Sequence, residues 1–85
     1  MTRAEFEAID RALNKKGFRL DDPLPHECAK CKERSVAVYM LRGGRYGGRD
    51  IEVCQHCGDA RSWRRRQIGE VREEDTTFDL ATFLA

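Results

Sequence analysis

The sequence lacks the features of a membrane protein, of an exported protein and of the common enzyme classes. It has no apolar run near the roughly 20 residues that a membrane-spanning helix requires. Residues 1–20 contain no apolar block of the kind that signal peptides carry, and no Ser/His/Asp set or phosphate-binding loop is recognisable. We therefore expect a cytoplasmic protein that is not an enzyme, with no membrane partner and no small-molecule substrate.

The chain is also too short to rely on a large hydrophobic core. Its 85 residues allow a single domain, and a domain of this size buries too little apolar surface to be comfortably stable through burial alone. A further stabilising element is therefore expected.

Four cysteines in two Cys-x2-Cys pairs supply that element. They are Cys28, Cys31, Cys54 and Cys57. A tight turn at each pair can aim two thiolates at one point, and four thiolates are the ligand set that structural Zn²⁺ sites favour. The spacing predicts one structural zinc ion with no coordination position open for a substrate. Because four sulfurs saturate a tetrahedral ion, the neighbouring His26 and His56 are not expected to be ligands.

Three other uses of these cysteines compete with structural zinc. Two disulfides would suit an oxidising compartment, which nothing in the sequence implies. Redox-active Cys-x-x-Cys motifs would need a strand-to-helix pattern around each pair, and the sequence shows none. A rubredoxin-like iron site that carries electrons would use the same four thiolates and is the third interpretation.

The pattern along the chain predicts a small metal-stabilised α+β fold. Thr2 and Glu5 match a helix capping box and Gly17 is a suitable stop, so residues 3–16 are expected to form one amphipathic helix. Strands are expected at residues 36–41, 51–53 and 62–68. The predicted units are an N-terminal helical segment at 1–20, a metal-binding unit at 24–68 and an acidic tail with an apolar end at 69–85.

The central part of the chain resembles a known family. The runs CAKCK at 28–32 and VCQHCG at 53–58, with Trp63 downstream, resemble the zinc ribbons of transcript-cleavage elongation factors and of small RNA polymerase subunits. The resemblance covers roughly residues 25–68 and implies a three-stranded antiparallel sheet capped by zinc. The cleavage factors carry an adjacent Asp-Glu pair at the hairpin tip, whereas this tip has Asp50 alone. The resemblance therefore does not imply transcript cleavage.

Charge is distributed unevenly along the chain, although the net charge is only +1. From Arg42 to Arg66 there are seven arginines and three acidic residues, whereas residues 69–85 hold five acidic residues and one arginine. This asymmetry indicates either a basic working face with a solubilising tail, or a tail that folds back over that face.

Basic residues of the hairpin and third strand are the candidate surface for nucleic acid, or for a nucleic-acid machine such as RNA polymerase. Guanidinium groups pair with phosphate and aromatic rings stack on bases. The candidates are Arg42, Arg45, Tyr46, Arg49, Arg64, Arg65 and Arg66. The alternative is a protein-interaction adaptor that docks through an apolar C-terminal segment, unless that segment packs on the N-terminal helix of its own chain. Its residues are Phe78, Leu80, Phe83 and Leu84.

Overall fold

The computed structural model describes residues 1–21, 25–41, 48–65 and 71–85. These residues form a six-stranded antiparallel sheet and two helices, which confirms the predicted α+β class. In chain order the elements are α1 (Arg3–Lys15), β1 (Phe18–Leu20), β2 (His26–Glu27), β3 (Arg34–Leu41), β4 (Arg49–Cys54), β5 (Ala60–Arg65), β6 (Arg72–Asp75) and α2 (Leu80–Leu84).

Helix α1 begins and ends close to where the sequence indicates. The Thr2 hydroxyl oxygen accepts a hydrogen bond from the Glu5 backbone N–H at 3.2 Å, and the Thr2 N–H donates to the Glu5 carboxylate at 3.1 Å. These two bonds are the predicted capping box. The helix ends at Lys15, and Gly17 follows with φ +98°, a left-handed conformation that glycine adopts without strain. The inward face of the helix buries Leu13 completely.

The sheet is wider than the three-stranded ribbon predicted from the sequence. The predicted strands correspond to β3, β4 and β5, which are adjacent and antiparallel; positions 66–68 of the third predicted strand lie outside the described residues. Strands β1 and β2 pair with the other edge of β3, and β6 pairs with β5. The added strands have only two to four residues, and β6 is wholly charged. Strand β1 alternates apolar and polar residues over only three positions, and β2 and β6 contain no apolar residue, so none of them carries the longer alternation by which a strand is recognised in a sequence.

The two faces of the sheet differ in character. One face bears the core, where α1 and the sheet bury a cluster of apolar side chains. The cluster consists of Leu13, Phe18, Ala37, Tyr39, Ile51 and Val53. Side chains alternate between faces along a strand. Asp50 and Trp63, which are register partners on β4 and β5, therefore lie on the face opposite the core.

The C-terminal segment packs against the core of its own chain. The Asp79 carboxylate caps α2 by accepting a hydrogen bond from the Ala81 N–H at 3.0 Å. The Phe83 ring meets the Phe18 ring edge-on, with centroids 5.8 Å apart. All four apolar residues predicted for protein docking are partly buried against the core cluster; they are Phe78, Leu80, Phe83 and Leu84.

The buried Tyr39 makes the stability of the fold sensitive to alkaline pH. Tyr39 is 1% exposed, and its hydroxyl donates to Asp10 at 2.6 Å. Burial, followed by the hydrogen bond to Asp10 and the charge of Asp10, raises the pKa of Tyr39 far above its usual value. The unfolded chain therefore loses this proton first. The free energy of unfolding should then fall as the pH rises above about 10.

We expect Tyr39→Phe to lower the free energy of unfolding at neutral pH by about 1 kcal/mol, because one buried hydrogen bond is lost. The variant should also show a shallower decline of that free energy above pH about 10. Urea unfolding of both proteins over this pH range measures the difference. Every other titratable group is common to both proteins, so the comparison isolates Tyr39. If the free energies of unfolding of the two proteins decline in parallel above pH about 10, Tyr39 is not the source of the alkaline sensitivity.

Candidate metal centre

The four cysteine sulfurs lie together at one end of the sheet. Cys54 is the last residue of β4 and Cys57 lies in the turn after it, while Cys28 and Cys31 belong to the turn between β2 and β3. All four Sγ atoms lie within 4.8 Å of one another. The antiparallel pairing of β3 with β4, in which Val36 is opposite Cys54, brings the two turns together. The predicted ligand set is therefore assembled in the fold.

The spacing of the sulfurs fits a tetrahedral metal ion and excludes disulfides in this structure. Cys28 Sγ lies 3.7 Å from Cys57 Sγ, and Cys31 Sγ lies 3.7 Å from Cys54 Sγ. Four sulfurs held about 2.3 Å from a central zinc ion are about 3.8 Å apart by tetrahedral geometry. A disulfide would bring two sulfurs to about 2.05 Å, and all four cysteines are free. The cluster could hold one metal ion, and its all-sulfur donor set suits zinc.

The two metal-binding turns share one backbone arrangement. The N–H of Lys32 donates to the carbonyl of Cys28 at 2.9 Å, and the N–H of Gly58 donates to the carbonyl of Cys54 at 3.0 Å. Both donor residues have left-handed backbones, with φ 67° and 81° respectively. Glycine suits this conformation, whereas a side chain there costs about 1–2 kcal/mol. The Lys32 ammonium also donates to the Ala29 carbonyl at 3.0 Å, which closes the first turn.

Backbone N–H groups prepare two of the sulfurs to act as thiolate ligands. Cys28 Sγ accepts hydrogen bonds from the N–H groups of Lys30 at 3.4 Å and Cys31 at 3.5 Å, and Cys54 Sγ accepts one from Cys57 at 3.4 Å. The bond from Cys31 is the main cause that lowers the pKa of Cys28 to about 7, against the opposing effect of burial. At Cys28 the thiolate, which is the metal-binding form, is therefore accessible near neutral pH, whereas, against a backbone hydrogen bond that lowers each value, burial and the neighbouring sulfurs raise the pKa values of Cys31 and Cys57.

The cluster is anchored in the protein on one side and faces outward on the other. Cys28 and Cys54 are 2% and 1% exposed and pack with Val36, whereas Cys57 is exposed. A chelator could therefore reach a bound ion from the side of Cys57. Among the residues that the structure describes, the cluster contains sulfur ligands alone, and His56 lies exposed in the second turn.

The structure divides the predicted nucleic-acid surface. Arg49 and Arg64 are register partners on β4 and β5, so their side chains share the face that bears the core. Arg65 follows Arg64 along β5 and lies on the opposite face. The described arginines therefore do not form one surface. The remaining candidates lie outside the described residues; they are Arg42, Arg45, Tyr46 and Arg66.

Arg49 and Arg65 are both engaged within the chain. Arg49 Nη2 lies 2.7 Å from Asp75 Oδ2, and Arg49 Nε donates to Ser62 Oγ at 2.6 Å. Arg65 Nη2 lies 3.1 Å from Asp50 Oδ2. Two of the arginines predicted to bind phosphate are thus neutralised by carboxylates of the same molecule.

Strand β6 completes a charged network on the face opposite the core, and sequence reasoning missed this network. Asp50 is 1% exposed and pairs with Arg65 and, at 3.3 Å, with Arg72. Arg72 also pairs with Glu52 at 2.9 Å, and its guanidinium carbon lies 4.9 Å from the Trp63 ring centroid. Only the pairing of β6 with β5 brings Arg72 to this position. Nothing in the spacing of the sequence signals it.

Comparison with known proteins assigns no family to this chain. Family models, curated proteins and solved structures give no match. Within the described part of the chain, no helix combines the length and the apolar character needed to cross a membrane. The fold and the site define the class of protein: an α+β domain with a four-cysteine cluster on an antiparallel sheet, consistent with a zinc-binding β domain.

Proposed function

We propose that this chain is a zinc-stabilised, non-catalytic binding domain that contacts nucleic acid, or a nucleic-acid machine such as RNA polymerase. The observation that supports the zinc scaffold is that four sulfurs lie within 4.8 Å of one another, with two of their separations at 3.7 Å. Four thiolates leave no coordination position open, so the role of the ion is structural. The contact surface lies at the end of the sheet remote from the cysteines.

Three cations in a row support nucleic acid as the partner. Lys16 Nζ lies 5.1 Å from the ring centroid of Phe83, and the guanidinium carbon of Arg49 lies 5.8 Å from the same centroid. Arg64 is exposed and lies opposite Arg49 in the strand register. We call Lys16, Arg49 and Arg64 the basic row. Cations spaced along one face suit the phosphates of a nucleic-acid backbone, and the sequence did not indicate Lys16.

Arg64→Ala is expected to weaken nucleic-acid binding without affecting the fold, because the side chain is exposed. Anisotropy of a labelled single-stranded RNA and of a duplex DNA, each about 20 nucleotides long, measures the affinity from about 50 to about 200 mM salt. Loss of one phosphate contact should reduce the magnitude of the slope of log K against log salt by about 0.7 to 0.9. Affinity should fall uniformly across sequences.

Arg34→Ala is the matched control for this experiment. Arg34 is an exposed arginine that begins β3 at the cysteine end of the same sheet, and its removal changes the net charge equally. Equal effects of the two substitutions would show that overall charge, and not the basic row, governs binding. Binding that does not respond to salt would contradict the proposed contact with phosphates.

The same sulfur geometry would also accommodate iron, which keeps the rubredoxin-like electron carrier as a second candidate. Elemental analysis of the purified protein, together with its visible absorption, separates the two: a colourless protein with one zinc per chain supports the structural site. The protein-docking adaptor stays a prediction. A partner would first have to displace the C-terminal apolar residues from their own core.

A further inference from the structure

The basic row has an acidic strand beside it. Strand β6 contains three consecutive carboxylates, at positions 73 to 75, and pairs along the whole of its length with the arginine-bearing strand β5. In the register, Glu73 lies opposite Arg64 and Asp75 lies opposite Ser62. The acidic tail therefore lies next to the cations that the proposed function assigns to nucleic acid.

Asp75 pairs directly with one member of the basic row, Arg49. Its Oδ2 lies 2.7 Å from Arg49 Nη2, and its side chain is only 18% exposed. Hydrogen bonds from the Thr77 hydroxyl and N–H, followed by the charges of Arg49 and Arg64, hold the pKa of Asp75 below its usual value. Asp75 is thus an ionised carboxylate that pairs with Arg49 and lies within the electrostatic influence of Arg64.

The remaining surroundings of Arg49 also come largely from the C-terminal part of the chain. The rings of Phe78 and Phe83 each have their centroid 5.8 Å from the Arg49 guanidinium carbon. On the other side, Arg49 donates to the completely buried Ser62. Arg49 is therefore enclosed by the sheet on one side and by residues 75–83 on the other.

The segment that encloses Arg49, which contains β6 and α2, is expected to open more readily than the core. Strand β6 has four residues and lies at the edge of the sheet. Helix α2 has five residues, none of them fully buried. Short edge elements with few buried side chains open locally at a lower free-energy cost than a core strand.

We propose that Arg49 is a phosphate-binding position that Asp75 occupies intramolecularly, so that residues 72–84 act as an autoinhibitory cover over Arg49, while Lys16 and Arg64 stay exposed. A carboxylate and a phosphate both accept charge-assisted hydrogen bonds from a guanidinium group, and they compete for the same donors. Nucleic acid then binds fully only when the cover withdraws from Arg49. This inference rests on the proposed function, since it concerns the regulation of the same site.

The decisive variant is Asp75→Asn, which removes the charge but keeps an oxygen to accept the bonds from Thr77. With the labelled RNA described above, we expect its affinity at low salt to rise roughly fivefold to tenfold. The salt slope should steepen by about 0.7, the value for one added phosphate contact on a single strand. Glu33→Gln is the matched control: Glu33 is exposed in the first metal turn, its loss changes the net charge equally, and we expect at most about a twofold gain.

Two further variants complete the test. The double variant Asp75→Asn/Arg49→Ala should lose the gain in RNA affinity, because it lacks Arg49, the phosphate-binding side chain that Asp75→Asn is expected to free. Phe83→Ala loosens the cover without changing the charge and should shift the affinity in the same direction by a smaller factor. Phe83→Ala decides the question if urea unfolding shows that Asp75→Asn is no longer folded.

The outcomes separate this inference from the proposed function. If the wild type binds RNA with a salt dependence and Asp75→Asn gains no more than Glu33→Gln, the cover is refuted and the proposed function stands. The cover is also refuted if the gain in RNA affinity persists in the double variant Asp75→Asn/Arg49→Ala. If neither the wild type nor any variant binds the RNA or the duplex DNA, the cover fails together with direct nucleic-acid contact as the proposed function.

Discussion

Removal of the metal is expected to unfold the protein. Small zinc-binding peptides bind the ion with about 10–16 kcal/mol, which matches or exceeds the total stability of about 5–15 kcal/mol that folded domains have. Without the ion, nothing holds the buried sulfurs of Cys28 and Cys54, and with them the two turns, together. A strong chelator should therefore abolish the cooperative unfolding transition, and Cys54→Ser should be purified without its full complement of zinc.

The measurement combines the zinc content, by plasma mass spectrometry, with circular dichroism during heating. His56→Ala is the control, because His56 lies in the same turn as Cys57 but is exposed and outside the sulfur cluster. The control variant should keep one zinc ion per chain and an unchanged transition. A chelated wild type that remains folded, with an unaltered transition, would contradict the scaffold role of the metal.

Leu13→Ala is expected to have the second-largest effect, a loss of about 2–5 kcal/mol in the free energy of unfolding. Leu13 is 0% exposed and belongs to the core cluster together with Phe18 and Ile51. Its truncation would leave a cavity between α1 and the sheet, which the surrounding side chains fill only in part. In so small a domain, such a loss approaches the whole stability.

Leu20→Ala provides a control of the same chemistry. Leu20 ends β1 and is 50% exposed, so its truncation opens no closed cavity and should cost less than about 1 kcal/mol. Urea unfolding of the two zinc-loaded variants and of the wild type gives the comparison. Equal losses for Leu13 and Leu20 would show that α1 is not packed on the sheet as described.

Features that depend on neighbouring residues could be predicted from the sequence. The capping box needs only Thr2 and Glu5 three residues apart, and the two metal turns need only a pair of cysteines each. The central strands were recognisable because their buried positions are filled by apolar residues such as Val36, Tyr39 and Ile51.

Features that depend on strand pairing could not be predicted in the same way. Strand β6 has no apolar residue, so its place beside β5 is visible only in the register that sets Asp75 opposite Ser62. The division of the arginines between two faces, and the approach of Lys16 to the ring that Arg49 also contacts, likewise follow from the assembled sheet. The sequence left open whether the acidic tail folds back over the arginines; in the fold, Arg49 pairs with Asp75 of that tail and Arg65 pairs with Asp50 of β4.

The sequence by itself determined the two cysteine turns, the N-terminal helix and the central strands, because local spacing suffices to specify a turn, a cap or an alternating strand. The tertiary structure alone decided which charges distant in the sequence meet. Ion pairs such as Arg49 with Asp75 join residues 26 positions apart, and no local pattern records a contact that arises only when separate strands align.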